Sequence, residues 1–282
     1  MGGMSLVLGG NGKTGRRVVE RLTARGLSIR IGSRSGVPRF DWDDQTTWGA
    51  ALRDVEAAYV TYYPDLAVPG AAATIGAFSE LAATKGVRRL VLLSGRGEEG
   101  ARRAEQAVRE SGVDWTILRS SWFSQNFSED YLRDPVQSGE VALPVGDVPE
   151  PFIDADDIAD IATAALTDQR HAGELYELTG PRLLTFAQAV AEIARAAGRE
   201  VRFVPVSVEQ YSSQLTGLGV PAEFVSLSVY LFTVVLDGRN AHLTDGVQRA
   251  LGRTPRDFTD YAEAAAATGV WGGAGVPQSG AS

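Results

Sequence analysis

Three glycines stand three residues apart, Gly9, Gly12 and Gly15, between the apolar run Ser5-Leu6-Val7-Leu8 and the segment Arg16-Arg17-Val18-Val19-Glu20-Arg21-Leu22. The run suits a strand buried on both faces, and Val18, Val19 and Leu22 repeat as on the inward face of a helix. A glycine turn between strand and helix makes an anion site. Without Cβ atoms a pyrophosphate reaches the backbone, where free N–H groups and the helix dipole face it. Gly9, Asn11, Gly12, Lys13, Thr14 and Gly15 are therefore candidate phosphate-holding residues. The same glycines also fit a tight turn that holds nothing. Gly12-Lys13-Thr14 imitates the end of a nucleoside triphosphate loop, but that motif needs a glycine five residues before Gly12, where Val7 stands inside the strand. The spacing favours a dinucleotide.

A second candidate group follows the next apolar stretch, Leu27 to Gly32, read as a strand ending in Ser33-Arg34-Ser35. In a dinucleotide fold an acid here binds the ribose 2′-OH, whereas an arginine accommodates a 2′-phosphate. No acid stands here, so Ser33 and Arg34 favour NADP(H) over NAD; a solvated loop arginine is the alternative. Further polar and aromatic groups fall at other strand exits: Tyr62 and Tyr63 before Pro64, Ser94 after Arg88 to Leu93, and Arg119 after Val113 to Leu118. Tyr62 and Tyr63 fit either the reactive ring of a cofactor or a strand rim, and Ser94 either that ring or local backbone. Trp122, Phe123, Asn126 and Phe127 lie just beyond and suit an aromatic wall for a planar substrate, with core packing the competing use of the rings.

Elements that would carry these groups alternate as strand and helix five times in the first part of the chain, which is the doubly wound, parallel α/β pattern of a Rossmann-type domain. Such a sheet binds ligands at the carboxyl ends of its strands. The sequence divides into a dinucleotide domain over residues 1–180, a smaller, mainly helical substrate lobe over 181–268, and a Gly/Ser-rich tail over 269–282 expected to be disordered. Gly139 to Asp147 reads as a connection and Val201 to Val206 as a short strand. Helices are expected near 208–218, 222–236, 245–251 and 258–268.

At 282 residues, with 44% hydrophobic and 22% charged residues, the chain has the make-up of a globular enzyme. A net charge of −8 argues against nucleic acid as the main partner, and the lack of cysteine excludes thiolate chemistry and disulfides. No signal peptide is read at the start, and the longest apolar stretch, Phe224 to Leu236, is too short and interrupted for a bilayer. A soluble cytoplasmic protein without a membrane partner, monomeric or homodimeric, is expected. Asp154, Asp156, Asp157 and Asp160 fit helix capping better than a metal site, so no metal is assigned. His171 and His242 are read as surface histidines, and Phe224, Leu227, Leu231 and Val234 as a core or dimer face.

Leu8 to Gly15, Phe40-Asp41-Trp42, Gly86 to Ser94, Thr116 to Phe127, Pro151 to Asp154 and Arg253 to Arg256 together resemble the NmrA-like atypical short-chain dehydrogenases. Within that group the chain is similar to the festuclavine dehydrogenase branch and its bacterial members, and more distantly to NADPH:quinone reductases. The resemblance implies a Rossmann fold and an NADP(H) cofactor. It leaves two functions open, because the family also holds dinucleotide-binding nitrogen-metabolite repressors that reduce nothing.

A typical short-chain dehydrogenase carries Tyr-x-x-x-Lys on the helix after the fourth strand, the tyrosine giving the proton and the lysine lowering its pKa. Here that helix, Glu98 to Glu110, has neither residue type. Carbonyl reduction needs an acid for the developing alkoxide, whereas an iminium or quinone accepts hydride with less help. The expected activity is NADPH-dependent hydride transfer to a small electrophile such as an iminium, quinone or conjugated carbonyl. Tyr63 and Ser94 are the candidate assisting groups, and a non-catalytic NADP(H) sensor is the alternative.

Overall fold

The computed structural model describes residues 3–272. In chain order it runs β1 (Met4–Leu8), α1 (Lys13–Ala24), β2 (Ile29–Gly32), α2 (Trp48–Ala51), β3 (Val55–Val60), α3 (Ala71–Thr84), β4 (Arg89–Gly95), α4 (Glu99–Glu110) and β5 (Asp114–Ser120). Then come α5 (Asn126–Glu129), α6 (Arg133–Ser138), β6 (Glu140–Leu143), α7 (Ala155–Thr167), β7 (Glu174–Leu178), α8 (Phe186–Ala197) and β8 (Arg202–Pro205). The last helices are α9 (Val208–Gly217), α10 (Ala222–Tyr230), α11 (Gly246–Leu251) and α12 (Phe258–Ala267). None of the helices among the described residues is long and apolar enough to cross a membrane.

The chain forms two compact units, and they are not divided by one cut near residue 180. The first comprises Met1–Ser121, Ala155–Thr179 and Thr244–Pro255; the second comprises Trp122–Asp154, Gly180–Leu243 and Arg256–Ser282. The first unit holds a six-stranded parallel sheet in the order β2-β1-β3-β4-β5-β7. Its central strands read as unbroken apolar runs because helices cover both faces: Leu6, Val7 and Leu8 of β1 and Leu90, Val91 and Leu92 of β4 are fully buried. Chain order reverses at β1, whose neighbours are β2 and β3, and this is the switch point where a doubly wound sheet opens a crevice.

Aspartates read from sequence as caps have a second use in this unit. Asp156 and Asp160 pair with Arg21 of α1, and Arg253 reaches both Asp160 and the fully buried Asp157 at 2.6 and 2.7 Å. The ion pairs fasten α7 to α1 and to the stretch after α11. His171 is also not a surface residue: it is only 6% exposed, and its Nδ1 lies 2.9 Å from the Tyr176 hydroxyl.

In the second unit the segment read as a connection contains β6, which pairs in parallel with β8. A strand of four residues, broken off by Pro144, carries too little periodicity to announce itself. Residues 269–272 differ from the disordered tail expected there. Trp271 is 1% exposed, its indole donates to the Phe127 carbonyl at 2.7 Å, and Arg199 donates to the Trp271 carbonyl. The rest of that tail lies outside the described residues.

The helix expected over 222–236 ends as α10 and continues as a π-helical turn over Leu231–Val235. A wider turn rotates the side chains that follow it. α10 itself has no buried residue, and after the turn Phe232 and Val235, rather than Val234, enter the core.

Arg182 ties α8 to α12. It donates to both Glu192 oxygens and both Asp257 oxygens at 2.7–2.8 Å, and this pairing holds Asp257 down at about 2. A carboxylate with a depressed folded pKa stabilises above its unfolded value and loses that contribution as pH falls through the folded one. We expect the stability measured by urea unfolding to fall by about 1 kcal/mol between pH 5 and pH 2 on account of this partly exposed pair, and Arg182→Gln to remove that component of the pH dependence.

Candidate dinucleotide site

The first unit gathers its candidate residues along the carboxyl edge of the parallel sheet. Gly9 leaves β1 with φ of +65°, and its carbonyl accepts the Gly12 amide at 2.8 Å. A Cβ on Gly9 would lie 2.4 Å from the Thr61 hydroxyl, which itself donates to the Leu8 carbonyl. A Cβ on Gly15 would lie 2.1 Å from the Gly9 carbonyl oxygen, which is backbone and cannot rotate aside. These two positions admit only glycine, and together they bring the first turn of α1 down onto the strand exit. The start of α1 has no side-chain cap and no acid in its first turn, which is the kind of helix start that suits an anion.

Thr14, read from sequence as a phosphate-holding residue, also has a packing partner. It is buried, and its oxygen accepts from the Tyr59 phenol of β3 at 3.0 Å, within an environment whose burial pushes that phenol's pKa up. At the end of β2, Ser33 anchors a loop through its carbonyl, which accepts from the Gly36 and Phe40 amides. Arg34 stands exposed on this loop and makes no side-chain hydrogen bond among the described residues; its charge helps Arg39 hold Asp41 below the ordinary carboxylate range. Tyr62 is half-buried, with its ring 5.1 Å from that of Trp42, whereas Tyr63 is 68% exposed.

Ser94 and Arg119 occupy a network that sequence reading missed. The buried Ser94 hydroxyl donates to Glu105 Oε1 at 2.7 Å. Arg119 donates to both Glu105 oxygens at 2.9 and 2.5 Å, and to Glu177 of β7 at 2.7 Å. Arg96 lies 3.7 Å from Glu177 and donates to Ser121. The donors of Ser94 and Arg119, two residues read from sequence as cofactor contacts, are turned to a carboxylate that is 3% exposed. The signal was present in α4, where Glu105 interrupts the inward stripe Ala101, Ala104, Val108 and so marks a buried charge in need of partners.

A second acid pair was also unread. Glu98, at the start of α4, and Asp65, after β3, are hydrogen-bonded to each other; burial and then the Asp65 charge push Glu98 well above the usual carboxylate range, and burial raises Asp65 as well.

Residues proposed for a substrate wall fall in the second unit. Phe127 is a core residue, fully buried among Phe152, Phe186 and Phe258, which withdraws it from any wall. Trp122 is half-buried between Phe186 and Phe232, and Phe123 and Asn126 are also partly accessible. The rings of the buried Tyr211 and the exposed Tyr131 also pack against the buried Phe232.

Comparison with known proteins supplies the family. Residues 102–253 match the NmrA-like family, and residues 9–169 match an NAD(P)H-binding family. The chain belongs to the NmrA-like family. As a member it is 33% identical to the uncharacterized oxidoreductase YesF of Bacillus subtilis, over 94% of this chain and 97% of the relative. It is 31% identical to festuclavine synthase I of Penicillium roqueforti, over 92% and 96%. The solved NADPH-dependent quinone oxidoreductase QOR2 of Escherichia coli, in complex with NADPH, has the same fold: TM-score 0.77 and 19% identity, covering 93% of this chain and 99% of that one. The glycine turn of this NmrA-like chain lies within its NAD(P)H-binding match, so its geometry can be tested by ligand. Gly15→Ala is expected to lose NAD(P)H binding in a fluorescence titration and to cost roughly 1–3 kcal/mol of stability, since a backbone carbonyl must move.

Proposed function

We propose that this NAD(P)H-dependent oxidoreductase uses NADP(H), and that it transfers hydride to a small electrophile such as a quinone, an iminium or a conjugated carbonyl. The observation that carries the cofactor choice is Arg34, exposed at the end of β2 in a loop with no acid at the ribose position. Ser33 beside it, the Gly9-to-Gly15 turn and the uncapped start of α1 complete the contacts for a 2′-phosphorylated dinucleotide.

The reaction class rests on α4, whose sequence offers no Tyr-x-x-x-Lys to protonate an alkoxide. Acceptors that are electrophilic on their own account suit such a site. The quinone named as the substrate of QOR2, which shares the fold, falls in this class. Tyr63 is the exposed hydroxyl at the exit of β3 and the group we assign to contact the nicotinamide region, while Trp122, Phe123 and Asn126 are assigned to substrate.

Two measurements test this reading. Arg34→Asp should weaken NADPH binding by about 1–3 kcal/mol in calorimetry, the scale of a lost charge-assisted contact, and leave NADH binding less affected. NADPH oxidation, followed by absorbance across a panel of quinones, iminium salts and enones, should be substrate-dependent. Tight NADPH binding with no turnover across the panel would favour a dinucleotide-sensing protein instead.

A further inference from the structure

Two carboxyl groups that hydrogen-bond to each other must hold a proton between them, because two carboxylates are both acceptors. Glu98 and Asp65 form such a pair in the first unit. Asp65 follows β3 and Glu98 follows β4, so the pair lies at the carboxyl edge where a parallel sheet presents its ligands. Its place is fixed closely. The Glu98 carboxyl lies over Gly95, where a Cβ would come within 2.0 Å of Oε1, and Gly100 of α4 touches the backbone of Leu66 and Ala67. Asp65 Oδ1 also accepts the Ala67 amide at 2.7 Å.

The pair differs from the other acids around it. Glu105 and Glu177 are matched by Arg119, and Glu177 also by Arg96, whereas neither Asp65 nor Glu98 has an ion pair among the described residues. The charge of Glu105 further disfavours ionising Glu98. Burial is unequal within the pair: Glu98 is 8% exposed, while Asp65 is only partly covered and can exchange its proton with water.

We propose that Asp65 and Glu98 share one proton and donate it during reduction, in the role that tyrosine fills in a Tyr-x-x-x-Lys enzyme. The proposal rests on the hydride-transfer reading above and narrows its substrates to acceptors that end on oxygen, quinones and conjugated carbonyls. Such an acceptor takes hydride from the dihydronicotinamide, which is oxidised. The acceptor's π pair moves to oxygen, and that oxygen forms an O–H bond as the O–H bond of the carboxyl pair breaks. The pair is left doubly negative and regains its proton from water through Asp65. An N-alkylated iminium needs hydride alone, because its nitrogen simply becomes neutral.

The test uses the full chain and the variants Glu98→Gln and Asp65→Asn, either of which serves if the other fails to fold. Infrared difference spectra between neutral and alkaline pH should contain a protonated-carboxyl C=O band in the wild type that both variants lose; its absence from the wild type would overturn the shared proton. In single turnovers with NADPH, each variant should lower the ratio of benzoquinone rate to N-methyl dihydroisoquinolinium rate by about 10²-fold, the lower end of what a general acid contributes. An unchanged ratio in a folded variant, or a ratio lost in Tyr63→Phe alone, overturns the donor role. No NADPH oxidation by the wild type with either acceptor would instead sink the hydride-transfer reading, and the donor role with it, while the infrared band still reports on the proton.

Discussion

The close approach of α1 to the exit of β1 is the constraint on which the first unit depends. Gly15 sits where any side chain would enter the Gly9 carbonyl, and Gly9 adopts a left-handed conformation against Thr61. Because the helix starts so near the strand, Thr14 is drawn inward to the Tyr59 phenol of the neighbouring strand. A turn that serves an anion is therefore also a packing joint between three elements. Binding and folding cannot be separated at these glycines, since the same absence of side chains permits both.

Charges at the carboxyl edge are handled in two contrasting ways. Glu105 is buried but surrounded by donors from Ser94 and Arg119, so its ionised form is satisfied. Glu98 is buried beside another acid with no cation, so its neutral form is favoured. Only seven positions on one short helix separate the two environments. Arg119, which also reaches Glu177 on β7, ties three neighbouring elements through one guanidinium.

Much of the first unit was legible because its strands are continuous apolar runs and its helices alternate with them, and the family and cofactor class follow from the glycine turn. Side-chain roles were less so. Ser94 and Arg119 sit where the fold places polar groups near a ligand, but the sequence could not reveal that Glu105 turns inward to meet them. Phe127 has the residue type of a substrate wall, and only tertiary packing shows it enclosed by other rings. In the second unit, β6 was too short to carry a period, and the π-helical turn after α10 shifted the buried stripe from Leu231 and Val234 to Phe232 and Val235. Trp271 was hidden by its glycine-rich surroundings, although a lone tryptophan in such a stretch has few reasons to stay in water.

The first unit is assembled from three separate stretches, the last of them Thr244–Pro255. That stretch is integral: a Cβ on Gly246 would come within 2.0 Å of the Glu177 carbonyl, and Arg253 provides the cation for the fully buried Asp157. The order of synthesis follows from this. A growing chain can lay down five of the six strands early, but Asp157 has no counter-charge from Arg253, and β7 has no cover from α11, until the ribosome has passed residue 255. The unit that carries the glycine turn, though its first strand is β1, is completed only with residues 244–255.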